Sequence, residues 1–262
     1  MTTAQDDTGL WIRRYHPAPN SDVRLLCLPH AGGSASFYFP VSRALSPDVE
    51  VLAVQYPGRQ DRRSEPNIED LPSLARAILG TLDGWLDKPL ALFGHSMGAT
   101  VGFELARMLE QERGVTPAWL FTSGRRAPSM PRDERIHLQS DAGFIKELQR
   151  LQGTDGNILG DEEMLRMILP ATRSDYRAAE TYDYVPGPPL NCPVTAFVGD
   201  DDPKATIEEA RAWQNHTGAD FDFHVFDGGH FFLTTHQTRL LKIMRSQLQS
   251  LSSPANPPRT GP

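Results

Sequence analysis

Short apolar runs recur along the chain at residues 24–28, 50–54, 89–93, 117–122, 193–198 and 221–226. Most of them end near a Gly- or Pro-bearing turn, and their length suits strands. The run at 221–226 alternates apolar and polar positions, as a half-exposed strand does. Between the runs, residues 35–45, 69–84, 99–112, 206–215 and 237–250 space their apolar side chains as helices do. Strand and helix in alternation predict an α/β fold, a mostly parallel sheet covered on both faces.

One interval breaks the alternation. No strand pattern appears between residues 122 and 193. Instead Phe144, Ile145, Leu148 and Leu151 fall at helical spacing, and so do Met164, Leu165, Ile168 and Leu169, with Asp161 as a possible N-cap. Ordinary core helices would read the same way. Their place between two strands predicts a helical lid inserted at about 128–188 within one domain, 1–250. Met130, Met164 and Met167 could give such a lid an adaptable apolar lining, or could simply fill a core. The last segment, 251–262, holds four prolines and is expected to be disordered.

Composition narrows the function classes. With 26 basic and 33 acidic residues the net charge is −7, which argues against nonspecific binding to nucleic acid. The start, Met1 to Asp7, lacks the basic and apolar parts of a signal peptide, and no stretch approaches the ~20 apolar residues of a membrane span. Cys27 and Cys192 both fall in apolar surroundings, as core thiols of a cytoplasmic protein do. No Cys/His spacing suits a metal and no glycine-rich phosphate loop is present, so neither metal nor cofactor is expected.

The chemistry lies at strand ends. Residues 94–98 read Gly-His-Ser-Met-Gly, with an apolar strand before and a helical pattern after. Strand, Gly-x-Ser-x-Gly and helix together make the setting of a nucleophile elbow, with Ser96 lifted above the sheet edge. A serine needs a base, and in this arrangement the acid and then the histidine follow along the chain. His230, after Gly228 and Gly229, fills the second role. Asp200, Asp201 and Asp202 stand in a row after the strand at 193–198; Asp202, beside Pro203, is favoured, with Asp200 and Asp227 as rivals. The early loop Pro29-His-Ala-Gly-Gly-Ser34 offers the Ala31 amide as one oxyanion donor, and the Met97 amide is the other. His30 and His95 flank these positions and are expected to pack or orient the loops.

Five stretches in combination carry a resemblance: Leu28-Pro-His-Ala-Gly-Gly-Ser34, Gln55-Tyr-Pro-Gly-Arg59, Phe93-Gly-His-Ser-Met-Gly98, Gly199-Asp-Asp-Asp-Pro203 and Gly228-Gly-His-Phe-Phe232. The chain resembles the stand-alone, type II thioesterases of polyketide and nonribosomal peptide pathways. The resemblance implies an α/β-hydrolase fold and Asp202 as the triad acid. It also implies hydrolysis of acyl thioesters on the phosphopantetheine arm of an acyl or peptidyl carrier protein. A carboxylesterase or an acyltransferase would use the same triad, and an inactive binding module would keep the same scaffold. Carrier proteins of this kind are acidic, so docking on an acidic enzyme calls for local basic groups. Arg59, Arg62 and Arg63 after one strand, and Arg125 and Arg126 after another, are the candidates, a solvated loop being the alternative.

Overall fold

The computed structural model describes residues 9–151 and 162–252. Seven strands form one sheet: β1 (Ile12–Arg13), β2 (Val23–Leu28), β3 (Val49–Val54), β4 (Leu90–His95), β5 (Trp119–Ser123), β6 (Val194–Gly199) and β7 (Phe221–Phe226). Their order is β1-β3-β2-β4-β5-β6-β7, with β1 antiparallel to β3 and every other pairing parallel. Each predicted run becomes a strand. β1 went unread because a two-residue edge strand carries no periodicity.

Parallel strands buried on both faces read as continuous apolar runs, and the pleat then sorts their side chains. Leu26, Leu28, Leu52, Leu90 and Leu92 face α2 (Leu71–Leu79) and α3 (Met97–Arg113). Leu25, Cys27, Val51, Ala53 and Phe93 face the opposite layer, which contains α1 (Phe39–Leu45) and α8 (Gln237–Ser252). Both cysteines are buried thiols. Burial pushes the Cys192 thiol up to about 12 and Cys27 higher still, so neither serves as a nucleophile.

Helix boundaries follow local chemistry. Asp70 caps α2 by accepting the Ser73 N–H at 2.7 Å, and the helix stops at Leu79, short of the expected residue 84. The expected helix at 35–45 splits into a 3₁₀ turn over Ala35–Tyr38 and then α1. Gly114, in the left-handed region at φ 64°, closes α3.

Between β5 and β6 lie α4 (Asp141–Leu151) and α5 (Glu162–Glu180). They share a small core of Phe144, Leu148, Leu151, Leu165, Leu169 and Tyr176. α5 runs through Pro170 and on to Glu180, well past the apolar stretch read from the sequence. The proposed cap Asp161 lies outside the described residues. So does most of the expected disordered tail, although positions 251 and 252 belong to α8 rather than to that tail. α6 (Ile207–Arg211) and the short α7 (Phe232–Thr235) complete the chain. Among the described residues no helix is long and apolar enough to cross a membrane.

Candidate active site

The chain runs from β2 outward to β3, then returns to β4 on the other side of β2. The strand order therefore reverses between β2 and β4, and the loops leaving their carboxyl ends border a crevice there. The β2 loop carries His30 to Ser34, and the β4 loop carries Ser96.

Ser96 sits at φ 54°, ψ −121°, backbone that L-residues rarely adopt. Two close approaches hold it there. A Cβ at Gly94 would lie 2.1 Å from the Gly98 carbonyl oxygen, and one at Gly98 would lie 2.1 Å from that of Leu28. Both flanking glycines are therefore required by space, and the Ser96 N–H is anchored to the Ser123 carbonyl at 2.7 Å.

The β6 and β7 ends bring the other partners together. His230 Nδ1 lies 2.9 Å from both Asp202 Oδ1 and Asp202 Oδ2, with both side chains buried. Since a carboxylate only accepts, Nδ1 carries the proton and Nε2 is left as the basic nitrogen. Asp202 Oδ1 also accepts the Lys204 N–H at 2.8 Å. The rivals face elsewhere. Asp200 is exposed and its Oδ1 accepts the Gly228 N–H at 2.8 Å, bracing the loop that carries His230. Asp227 is exposed and its carbonyl accepts from His236 Nε2.

Ser96, Met97, Ala31 and His230 line one cavity of about 530 Å³. Leu148 and Leu151 of α4, Met167, Ile168, Ala171 and Tyr176 of α5, and Phe231 form its apolar wall, while Ser34, Ser36, Gln60 and Arg63 form a polar side. Of the three methionines weighed for the inserted helices, Met167 lines this cavity. Among the described residues no group of His, Cys, Asp and Glu could hold a metal ion.

Beside the cavity three histidines cluster. The His95 ring lies 4.9 Å from that of His230, and its Nδ1 is 3.0 Å from Ser123 Oγ. Burial, with His230 and His30 nearby, holds His95 well below its ordinary value. His30 packs edge-on against Phe37 and Phe231, and burial lowers it to about 3. Both rings are thus neutral packing groups around His230.

A sequence model of the thioesterase domain family matches residues 23–248. The chain belongs to the thioesterase family. It is 55% identical to thioesterase PikA5 of Streptomyces venezuelae over 228 residues, 87% of this chain and 81% of that protein. It is 53% identical to a probable cadicidin biosynthesis thioesterase of Streptomyces griseus over 236 residues, 90% of this chain but 65% of that longer protein. The solved type II thioesterase BorB, from the borrelidin biosynthetic cluster, superposes with a TM-score of 0.86 at 52% identity, covering 91% of this chain and 98% of BorB. The thioesterase has the α/β-hydrolase fold.

Four of the five arginines expected to form a docking patch are engaged within the thioesterase itself. Arg59 is buried against Asp175. Arg62 is buried over the Trp11 ring, donating to the Gln55 carbonyl and bonded to Glu65. Arg126 is buried with Glu134 and the Lys204 carbonyl. Arg125 is half-buried, with Nε on Thr100 Oγ1 at 3.0 Å and Nη2 on the Ala179 carbonyl at 3.3 Å. Each of these four guanidiniums has its hydrogen-bond partners inside the fold. Arg63 alone of the five is exposed, at the cavity's polar side.

Two features of the thioesterase went unread in sequence. Asp175 reaches from α5 to the β2 loop, accepting the Gly32 N–H at 2.8 Å as well as Arg59. Lys204, whose amide holds Asp202, sends its ammonium to Glu134 at 3.0 Å and Glu147 at 2.9 Å. Neither has a sequence signal, because each joins segments distant along the chain.

Proposed function

We propose that this thioesterase hydrolyses acyl groups from the phosphopantetheine arm of acyl or peptidyl carrier proteins, as an editing enzyme of polyketide or nonribosomal peptide synthesis. The observation that carries the reading is the Asp202–His230 pair opening, with Ser96, onto a cavity walled by the inserted helices. Its relatives' names point the same way. The inserted helices act as the lid of that cavity.

In this reading Ser96 Oγ attacks the thioester carbonyl while His230 Nε2 takes its proton. Asp202 holds the imidazole in the required tautomer and stabilises the imidazolium. The Ala31 and Met97 amides receive the oxyanion, each donor contributing about 3 kcal/mol of transition-state stabilisation. The tetrahedral adduct collapses, the C–S bond breaks, and His230 returns the proton to the pantetheine sulfur. Water then attacks the acyl-serine, giving its proton to His230; the second adduct collapses, the C–O bond to Ser96 breaks, and His230 returns the proton to Ser96 Oγ as the free acid leaves. The polar side of the cavity, Ser34, Ser36, Gln60 and Arg63, suits the amide-bearing pantetheine arm, and the apolar wall suits the acyl chain.

Hydrolysis rates across a panel of acyl-loaded carrier proteins, beside simple esters of the same acids, test the proposal. Faster turnover of carrier-bound thioesters is expected. Equal or greater rates on simple esters would make the enzyme a carboxylesterase, and acyl transfer to an added alcohol or amine would make it an acyltransferase.

A further inference from the structure

The active-site cavity shares a wall with a second cavity of about 320 Å³, and Arg125, Ala179 and Glu180 line both. Two of these three are fixed. Ala179 belongs to α5. Glu180 is held by the Ile136 and His137 amides at 3.1 and 3.0 Å and by the His137 ring.

Arg125 is held more lightly. Its guanidinium bonds two neutral oxygens, Thr100 Oγ1 and the Ala179 carbonyl, and makes no ion pair among the described residues. The neighbouring Arg126, by contrast, is paired with Glu134 at 2.8 Å. Burial and the charge of Arg126 lower Arg125 to about 10, still protonated at neutral pH. A long, flexible side chain with two neutral acceptors can turn aside at modest cost, whereas a side chain locked to a carboxylate cannot.

Beyond the wall Pro128, Met130, Pro131, Tyr184 and Pro186 give the second cavity a carbon-rich part, beside the charged side chains of Arg126, Arg132 and Asp183. Thr100, which holds Arg125, lies one helical turn after Ser96 on α3. The neck between the cavities is therefore close to the nucleophile, and Ser96 and Arg125 line the same cavity.

We infer that the second cavity extends the acyl chamber, and that the Arg125 side chain is the neck an acyl chain must displace to enter it. Short acyl groups stay in the first cavity. Long ones pass Arg125 and bury their distal carbons among Pro128, Met130 and Tyr184. Arg125 is then a specificity-determining residue that holds back long chains. The inference rests on the thioesterase reading above.

The test uses propionyl and dodecanoyl pantetheine thioesters, which need no carrier docking, with the full-length enzyme. Arg125→Ala is expected to raise the dodecanoyl-to-propionyl ratio of kcat/KM by about tenfold or more, the scale on which pockets discriminate apolar groups. Met130→Trp, at a partly exposed position that lines only the second cavity, is expected to lower that ratio and to cancel the gain in the double variant. It carries the test by itself if Arg125→Ala does not fold. Equal changes on both substrates, or a gain that survives Met130→Trp, would overturn the inference. A wild-type enzyme that cleaves neither thioester would instead remove the hydrolase reading, and this inference with it.

Discussion

Arg59 and Asp175, far apart in the chain, meet as a buried pair with Nη2 2.7 and 2.6 Å from the two carboxylate oxygens. The pair joins the β3 loop to α5, and the Gly32 N–H bonded to the same carboxylate joins both to the loop of Ala31. One carboxylate thus sets the inserted helices against the expected oxyanion loop. Removing one member of a buried pair leaves the other uncompensated. Arg59→Leu is expected to cost about 3–5 kcal/mol of stability, read by urea unfolding, and to lower kcat at temperatures where the variant is still folded. A loss below about 1 kcal/mol would mean that the pair behaves like a surface ion pair.

Ser96→Ala and His230→Ala are each expected to leave a folded protein with hydrolysis near background. Asp202→Asn should lower kcat by about 10⁴-fold, the effect of a wrong tautomer in a serine triad. Asp200→Asn should cost only a few-fold, since Asp200 braces the Gly228 turn rather than the imidazole. Steady-state rates of the four variants check this, and a crippled Asp200→Asn beside a near-normal Asp202→Asn would reverse the assignment.

Acid should weaken the fold before carboxylates protonate. Burial lowers His30 to about 3 and His216 to about 4, and holds His95 well below the ordinary range. In the unfolded chain these rings titrate near pH ~6.5. The unfolded state then binds more protons, so stability is full above that pH and is lost as pH falls toward the folded values. Each ring contributes a slope approaching ~1.4 kcal/mol per pH unit below pH ~6. Carboxylates follow later. Burial works against Glu147, but bonds from Arg150 and Lys204 hold it down at about 2, so its contribution fades only in stronger acid. Urea unfolding at several pH values between 7 and 5 reads the slope, and His216→Gln should make it shallower.

Charge reversal separates the arginines. Arg62→Glu and Arg126→Glu are expected to lower the melting temperature and to reduce activity on carrier-bound and small thioesters alike, because both guanidiniums are buried with internal partners. Arg63→Glu should leave stability unchanged and raise KM more for acyl-carrier protein than for a small thioester, by slowing charge-steered association. Equal KM for wild type and Arg63→Glu would place the docking surface elsewhere.

Met167→Trp should shorten the range of acyl chains accepted, since Met167 lines the cavity from α5. Met164, outside that lining, should tolerate the same change with the chain-length profile kept. With each buried methylene contributing ~0.8 kcal/mol, neighbouring members of the series that fit the cavity should differ by no more than about fourfold. Rates on a series of straight-chain thioesters decide.

Much of this protein is determined locally, and those parts were legible in the sequence. A strand buried on both faces must be apolar throughout, so the runs at 24–28, 50–54 and 89–93 announced the sheet. A serine forced to positive φ between two crowded glycines needs Gly-x-Ser-x-Gly, so the motif by itself marks Ser96. Asp202 is favoured in the sequence by its place beside Pro203 and by the resemblance, but three consecutive aspartates are otherwise alike as a string. The tertiary structure separates them, turning Asp202 onto His230 Nδ1 and Asp200 onto the Gly228 amide. The arginines differ from one another for the same reason. Arg62 and Arg63 are neighbours in sequence, yet one lies over Trp11 inside the fold and the other faces solvent at the cavity. Periodicity reports which face of an element is buried. Which charge finds a partner depends on segments that only folding brings together, as Asp175 meets Arg59 and Lys204 meets Glu147.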